Sequence, residues 1–203
     1  MNILLNNHQL DNFEMKNMEY LVTPTYYNMK SGTQEYRLYS YISTLFNNIT
    51  ILDLGTSHGT SALSLSHNIN NKVITYDIVD CINNEKHIIY SKPNIEFRIK
   101  NILEDLTEEY LLDNAVKVVM IDIDHYGGME KKIIDRLYAL KYSGIILLDD
   151  VFHHPDNEIN KCMNDLWNNL EYDNIQKIDI TKYAHWSGTG IILMNTNLNI
   201  LLE

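Results

Sequence analysis

The sequence predicts an α/β fold: a doubly wound, mostly parallel seven-stranded sheet that ends in a C-terminal antiparallel hairpin. Three observations predict it. Short, wholly apolar runs recur between amphipathic segments, the pattern of strands covered on both faces by crossover helices. The first of these runs, Thr50–Leu54, passes directly into a glycine-bearing turn and a helix start made of small residues. The last two runs, Asn174–Ile180 and Gly190–Met194, are joined by residues 181–189, where no helix fits, so they should pair antiparallel.

Taken in order, residues 1–30 are polar and aromatic with weak periodicity, broken by Thr23-Pro24-Thr25. They read as an N-terminal arm or lid ahead of a single domain over 31–203. Ser31 and Gln34 have the spacing of a capping box, which would open a helix over Gln34–Phe46 with Leu38, Tyr41, Ile42 and Leu45 on one face. Strands follow at Thr50–Leu54, Lys72–Asp77, Ile95–Ile99, Val116–Asp122 and Gly144–Asp149. The helices between them fall at Gly59–His67, Ile82–Tyr90, Leu103–Leu111 and Met129–Lys141. Pro155 suits a helix start, and Glu158–Leu170 forms the last helix before the hairpin. No internal repeat or low-complexity tract stands out.

Composition narrows the function. A chain of 203 residues, 45% hydrophobic and 21% charged, can bury one good core. The net charge of −11, with only Arg37, Arg98 and Arg136 as arginines, argues against a nucleic-acid partner, which needs a positive footprint. No apolar run approaches the ~20 residues of a membrane span. The stretch Met1–Asn7 lacks the basic region and apolar length of a signal peptide. Cys81 and Cys162 lie far apart and read as free thiols of a reducing compartment, so the cytoplasm is the expected location. A homodimer formed through the N-terminal arm is compatible with the sequence, which does not decide it.

The chemistry gathers at strand ends. After Asp53, Gly55 and Gly59 are separated by Thr56, Ser57 and His58, and Ser61 follows in the helix start. Dinucleotide folds use G-x-G-x-x-G, whose closer glycines let the backbone meet a pyrophosphate. The wider spacing suits a ligand without phosphates. Asp77 ends the second strand, where the ligand crevice of such a sheet lies, and a carboxylate there can accept both hydroxyls of a ribose. It could instead cap the next helix, a task open to Asp80 as well. Asn101 and Ile102 follow the third strand.

Asp122, Asp124 and His125 end the fourth strand, and Asp149 and Asp150 end the fifth, with His153 and His154 just beyond. Neighbouring strand ends lie about 5 Å apart, so like charges crowd there and repel one another. No basic side chain in either segment offsets them. A hard divalent cation would, through oxygen ligands. Asp149 and Asp150 would face opposite ways on a continuing strand and converge only if the backbone turns. His125 can act as a base near neutral pH. His185 and Trp186 sit in the hairpin loop on the same rim, where an aromatic ring could stack on a planar or sugar acceptor.

The turn from Asp53 to Gly59 resembles motif I of the class I S-adenosylmethionine (SAM) dependent methyltransferases, a Rossmann-like fold, and Asp77 resembles the acidic residue of motif II. The resemblance implies SAM as cofactor, held by Asp53, Gly55, Thr56, Ser57, Gly59, Ser61, Asp77, Asn101, Ile102 and Asp122. The acids resemble those of metal-dependent O-methyltransferases, the catechol and caffeoyl-CoA type and their sugar-modifying relatives, which implies Mg²⁺ on Asp122, Asp149 and Asp150. Two departures stand out. The catechol type places a Lys base where this chain has His125, and favours Asn where it has Asp150. The Asp-Asp form is more similar to sugar O-methyltransferases, in which an Asp at the position of Asp124 can serve as base; those relatives are longer and carry larger lids. The implied reaction is methylation of a hydroxyl on a small diol-like acceptor, a sugar, glycan or catechol. His125 or Asp124 would take the proton, with His153, His185 and Trp186 on the acceptor side. A metal-independent methyltransferase and a SAM-binding module without turnover remain alternatives. A nicotinamide oxidoreductase is weaker, because the second phosphate-binding glycine is absent.

Overall fold

Each of the seven apolar runs becomes a strand of one sheet. The computed structural model describes residues 2–16, 30–82, 88–152, 158–184 and 186–203. In chain order the strands are β1 (Asn2–Leu5), β2 (Thr50–Leu54), β3 (Lys72–Asp77), β4 (Ile95–Ile99), β5 (Val116–Ile121), β6 (Gly144–Asp149), β7 (Ile175–Asp179), β8 (Thr189–Met194) and β9 (Asn199–Leu202). The main sheet runs β4-β3-β2-β5-β6-β8-β7. All its pairs are parallel except those of β8, which lies antiparallel between β6 and β7. The chain winds outward from β2 to β4 and then restarts beside β2 with β5. That reversal is the switch point at whose carboxyl side such sheets open a crevice.

The sheet is doubly wound because its strands are apolar on both faces. Ile51, Val118, Met120, Ile145 and Leu147 point to one side, and pack with Leu38, Tyr39 and Ile42 of helix α2 (Lys30–Thr44) and with Ala62 and Leu65 of α3 (Thr60–Leu65). Their neighbours Leu52, Leu54, Val119, Ile121, Ile146 and Leu148 point to the other. There they meet Ile133, Ile134 and Leu137 of helix Gly128–Ala139 and Met163 and Leu166 of helix Glu158–Asn169. Full burial of each such side chain contributes about 1.5–3 kcal/mol. Alternation by one residue therefore decides which side chains at the strand ends face which helices.

Three expectations change. The helix expected over Leu103–Leu111 is two pieces, a 3-10 turn at Ile102–Glu104 and a helix at Glu108–Asp113. Asn101 and Thr107 each accept a backbone N–H at a helix start, so the segment contains two caps where one helix would take one. Helix α2 begins at Lys30, before the Ser31–Gln34 box. A repeat also emerges: Asn2-Ile3-Leu4-Leu5 and Asn199-Ile200-Leu201-Leu202 are the same tetrapeptide, paired in parallel with like residues opposite each other. This second, two-stranded sheet is tied down where Tyr41 Oη donates to Leu4 O (3.2 Å) and Tyr183 Oη to Glu203 O (2.6 Å). The short helix Asn7–Asp11 (α1) follows β1. Residues 17–29 of the expected arm lie outside the described residues, as do His153, Pro155 and His185. Of the helix expected over Ile82–Tyr90, Ile82 is not helical, residues 83–87 lie outside the described residues, and the helix present is Ile88–Ser91, α4. In order, the later helices are α5 (Glu108–Asp113), α6 (Gly128–Ala139) and α7 (Glu158–Asn169).

Candidate functional site

Strand register lines up the carboxyl ends. Leu54 is opposite Tyr76 on one side and Ile121 on the other, and Ile121 is opposite Leu148. One residue further along, Gly55, Asp77, Asp122 and Asp149 therefore lie in a row across the rim.

The turn after β2 is built tightly against that row. Gly55 N and Thr56 N both donate to Tyr76 O, at 2.9 and 3.2 Å. Gly55 has φ +102°, and a Cβ there would sit 1.7 Å from the carbonyl oxygen of Asp122. Glycine is what allows the turn to approach β5 this closely. Asp77 holds the turn from the other side, its Oδ2 accepting Ser57 N–H at 2.8 Å while its Oδ1 accepts Val79 N–H at 3.1 Å. Each carboxylate oxygen has a second lone pair free for a further donor. Beneath the turn, buried Asp53 accepts the Thr75 hydroxyl at 2.6 Å. Burial pushes its pKa up to about 6, against the opposing effect of the Thr75 and Ser61 hydroxyls. Asp53 Oδ1 is buried and meets no donor in hydrogen-bonding geometry.

Two cavities share Gly55. One is an apolar slot bounded by Tyr76, Asp77, Asn101, Ile102 and Met129. The other is more polar, bounded by Tyr36, Thr56, Ser57, Ser61 and Asp122. Exposed His58 borders the polar one. The slot is braced from below by Tyr76 Oη, which donates to Asp105 (2.9 Å) and accepts from Arg98 Nη1 (2.6 Å).

Beyond Asp122 the polar cavity gives way to an acid–imidazole cluster. His125 Nδ1 lies 2.7 Å from Asp150 Oδ2, and its Nε2 lies 3.4 Å from Asp122 Oδ1. The two left-handed residues that make this possible are His125 (φ +61°) and Asp150 (φ +58°). At the second the backbone turns, and the Asp150 carboxylate meets the imidazole. Asp149 stays buried, with Thr189 Oγ1 at 3.4 Å. The hydrogen bond that His125 donates to Asp150, with the charges of Asp122 and the neighbouring acids, lifts the pKa of His125 to about 9 against its burial. Asp122 is raised well above the ordinary carboxylate range by burial and by Asp149, with Glu35 and Asp150 adding to it and His125 opposing. Among the described residues no three Asp, Glu, His or Cys side chains are grouped so as to hold a metal ion.

The structure thus separates the two expected bases. Asp124 borders the apolar slot and spends Oδ1 on Tyr126 N–H (3.0 Å), whereas His125 faces the carboxylates. Trp186 is exposed, and so is Phe152, whose N–H donates to Ser187 O at 2.9 Å in the same hairpin loop. Several site residues escaped the sequence. Glu35 is buried in α2 and accepts Tyr39 Oη at 3.0 Å, and its charge adds to that of Asp149 in raising Asp122. Tyr36 borders the polar cavity, and Glu130 lies behind His125. The spacing of Glu35 and Tyr39, one helical turn apart on a buried face, was the one signal available.

No protein-family model matches the chain, and no curated protein matches it. Solved structures do. Cofactor-bound Rv0187 from MTB superposes with a TM-score of 0.60 at 16% identity, over 94% of this chain and 88% of that one. An O-methyltransferase from Bacillus cereus in complex with S-adenosylhomocysteine (SAH) gives 0.55 at 16% identity, over 94% and 92%. A putative caffeoyl-CoA O-methyltransferase from Staphylococcus aureus gives 0.55 at 18%, over 78% and 82%. The chain has the Rossmann-like fold of the class I SAM-dependent methyltransferases. No helix among the described residues is long and apolar enough to cross a membrane.

Proposed function

We propose that this chain binds SAM and transfers its methyl group to a hydroxyl of a small acceptor. One observation carries the reading: two cavities share Gly55, and the polar one is bounded by Asp122, a member of the acid–imidazole cluster. O-methyltransferases of the same fold that were solved with SAH or SAM bound support it. In this reading the adenine occupies the slot beside Asn101 and Ile102, and Asp77 takes the ribose hydroxyls on its remaining lone pairs. The methionine part lies over the Gly55–Ser61 turn, within the field of Asp53.

Calorimetric titration with SAH tests the cofactor half. Binding is expected for the unsubstituted chain, and Asp77→Ala is expected to weaken it about 10- to 100-fold, the range for losing hydrogen bonds to a charged group. Binding should also weaken between pH 7 and pH 5. Protonation of Asp53 below about 6 removes the negative charge that attracts the cofactor's ammonium group. No measurable heat with the unsubstituted chain at pH 7 would sink the proposal.

Methyl transfer is an in-line displacement, so the protein must mainly align acceptor oxygen, methyl and sulfur. His125 is the group placed to handle the acceptor proton. With a pKa of about 9 it is an imidazolium at neutral pH, held as a hydrogen-bond donor between carboxylates, and it accepts a proton only once it has lost its own. Exposed Phe152, and exposed Trp186 next to the Ser187 whose carbonyl accepts the Phe152 N–H, favour an acceptor with a flat or ring-shaped face, as in a catechol or a sugar.

Asp122, Asp149 and Asp150 offer the hard oxygen donors that a divalent cation such as Mg²⁺ takes, although they are not gathered into a ligand set, and the repulsion that adds to burial in raising Asp122 is one a cation would relieve. When bound there, the ion would polarise the acceptor hydroxyl. A metal-independent reading is favoured by a different observation, the imidazole already lying between Asp122 and Asp150. Activity with and without EDTA and added Mg²⁺ separates the two. Loss in EDTA and recovery with Mg²⁺ support the metal. Unchanged activity in EDTA, with a rate that climbs as pH rises to about 9 and then levels, supports His125 alone.

A further inference from the structure

Glu130 is fully buried, yet it is a carboxylate in the first turn of α6 and touches neither cavity. Its Oε1 accepts two backbone N–H groups, those of His125 at 2.9 Å and Asp124 at 3.2 Å. A glutamate at the third position of a helix ordinarily reaches back to the N–H of the cap residue. The cap of α6 is Gly127, and Glu130 reaches past it into the loop that carries His125. That loop needs holding, because His125 has φ +61°, a conformation unfavourable for a residue with a Cβ. In that conformation the imidazole folds back onto Asp122 and Asp150 together. Glu130 Oε2 is buried without a hydrogen-bond partner in good geometry, so the bonds of its other oxygen to the loop are what hold the side chain. A carboxylate there merely to cap a helix would lie at the surface, where water serves both oxygens.

We infer that Glu130 is the positioning residue of the site: by binding the N–H groups of Asp124 and His125 it keeps His125 left-handed and aims its ring between Asp122 and Asp150. The inference rests on the methyl-transfer reading only for its consequence in rate. The geometry itself is independent of the reaction.

The test compares Glu130→Gln with Glu130→Ala in the full chain, by amide hydrogen exchange, by SAH calorimetry and by turnover with SAM and a panel of catechols and sugars. The glutamine carbonyl can still accept both N–H groups, so protection of the Asp124 and His125 amides and kcat should stay near those of the unsubstituted chain. In Glu130→Ala those two amides should exchange at least about tenfold faster while the β5 amides stay protected. Its kcat should fall about 10- to 100-fold with SAH affinity unchanged, the scale of effect for a displaced catalytic group. Equal protection in both variants would overturn the inference, as would loss of SAH binding in step with kcat, which would mean general collapse. A chain without substitution that methylates nothing in the panel would count against the proposed function, and the amide exchange would still decide the role of Glu130.

Discussion

Gly55→Ala is expected to be the most damaging small substitution in this chain. The added Cβ would lie 1.7 Å from Asp122 O and 2.7 Å from Asp122 C, at a residue with φ +102°. Both obstacles are backbone, so no side chain can rotate away. The conflict can be relieved only by parting the turn from the end of β5, which the bond from Asp122 N to Leu54 O (2.9 Å) holds in place. Overpacking costs about 1–3 kcal/mol and a Cβ in a glycine-favoured conformation costs a similar amount, so the loss should be about 3–5 kcal/mol. For a domain of this size that corresponds to a melting temperature lower by about 10 °C. Thermal unfolding followed by circular dichroism checks it. A variant that melts within a degree or two of the original would show that the turn can move off β5 at little cost. SAH binding should be lost even where the variant folds, because Gly55 belongs to both cavities.

His125→Ala is expected to act on turnover alone. The ring touches Asp122 and Asp150 and borders neither cavity, so SAH affinity should stay within about twofold while kcat falls about 10²- to 10⁴-fold, the range for removing a group that transfers a proton. The same substitution removes the charge that opposes protonation of Asp122, so the carboxyl of Asp122 should hold its proton to still higher pH. Steady-state kinetics beside SAH calorimetry reads both. Full activity in this variant would remove His125 from the reaction and turn attention to the carboxylates.

Much of this architecture is legible without coordinates. Thr50–Leu54, Lys72–Asp77, Ile95–Ile99 and Gly144–Asp149 have the same ends in sequence and structure, because a short, mostly apolar run between turn residues has few other places to go. The antiparallel hairpin was legible from the lack of room for a helix between its strands. The small sheet of β1 and β9 was not. Each strand has four residues and no turn joins them, so their pairing becomes visible only when the two ends of the chain meet.

The site divides along the same line. Sequence alone determined which residues stand at the strand ends, Asp53, Gly55, Asp77, Asp122 and Asp149, since strand length and a following turn are local properties. Only the tertiary structure decided how they combine. The left-handed turn at Asp150 brings its carboxylate to the imidazole, and the left-handed His125 points its ring at Asp150 and Asp122 where Asp124 borders the apolar slot. Glu35 and Glu130 were recruited from helices whose own patterns announce only a buried face. Such choices depend on backbone conformations paid for by contacts between distant segments, and those contacts do not exist until the sheet has closed and its helices have packed.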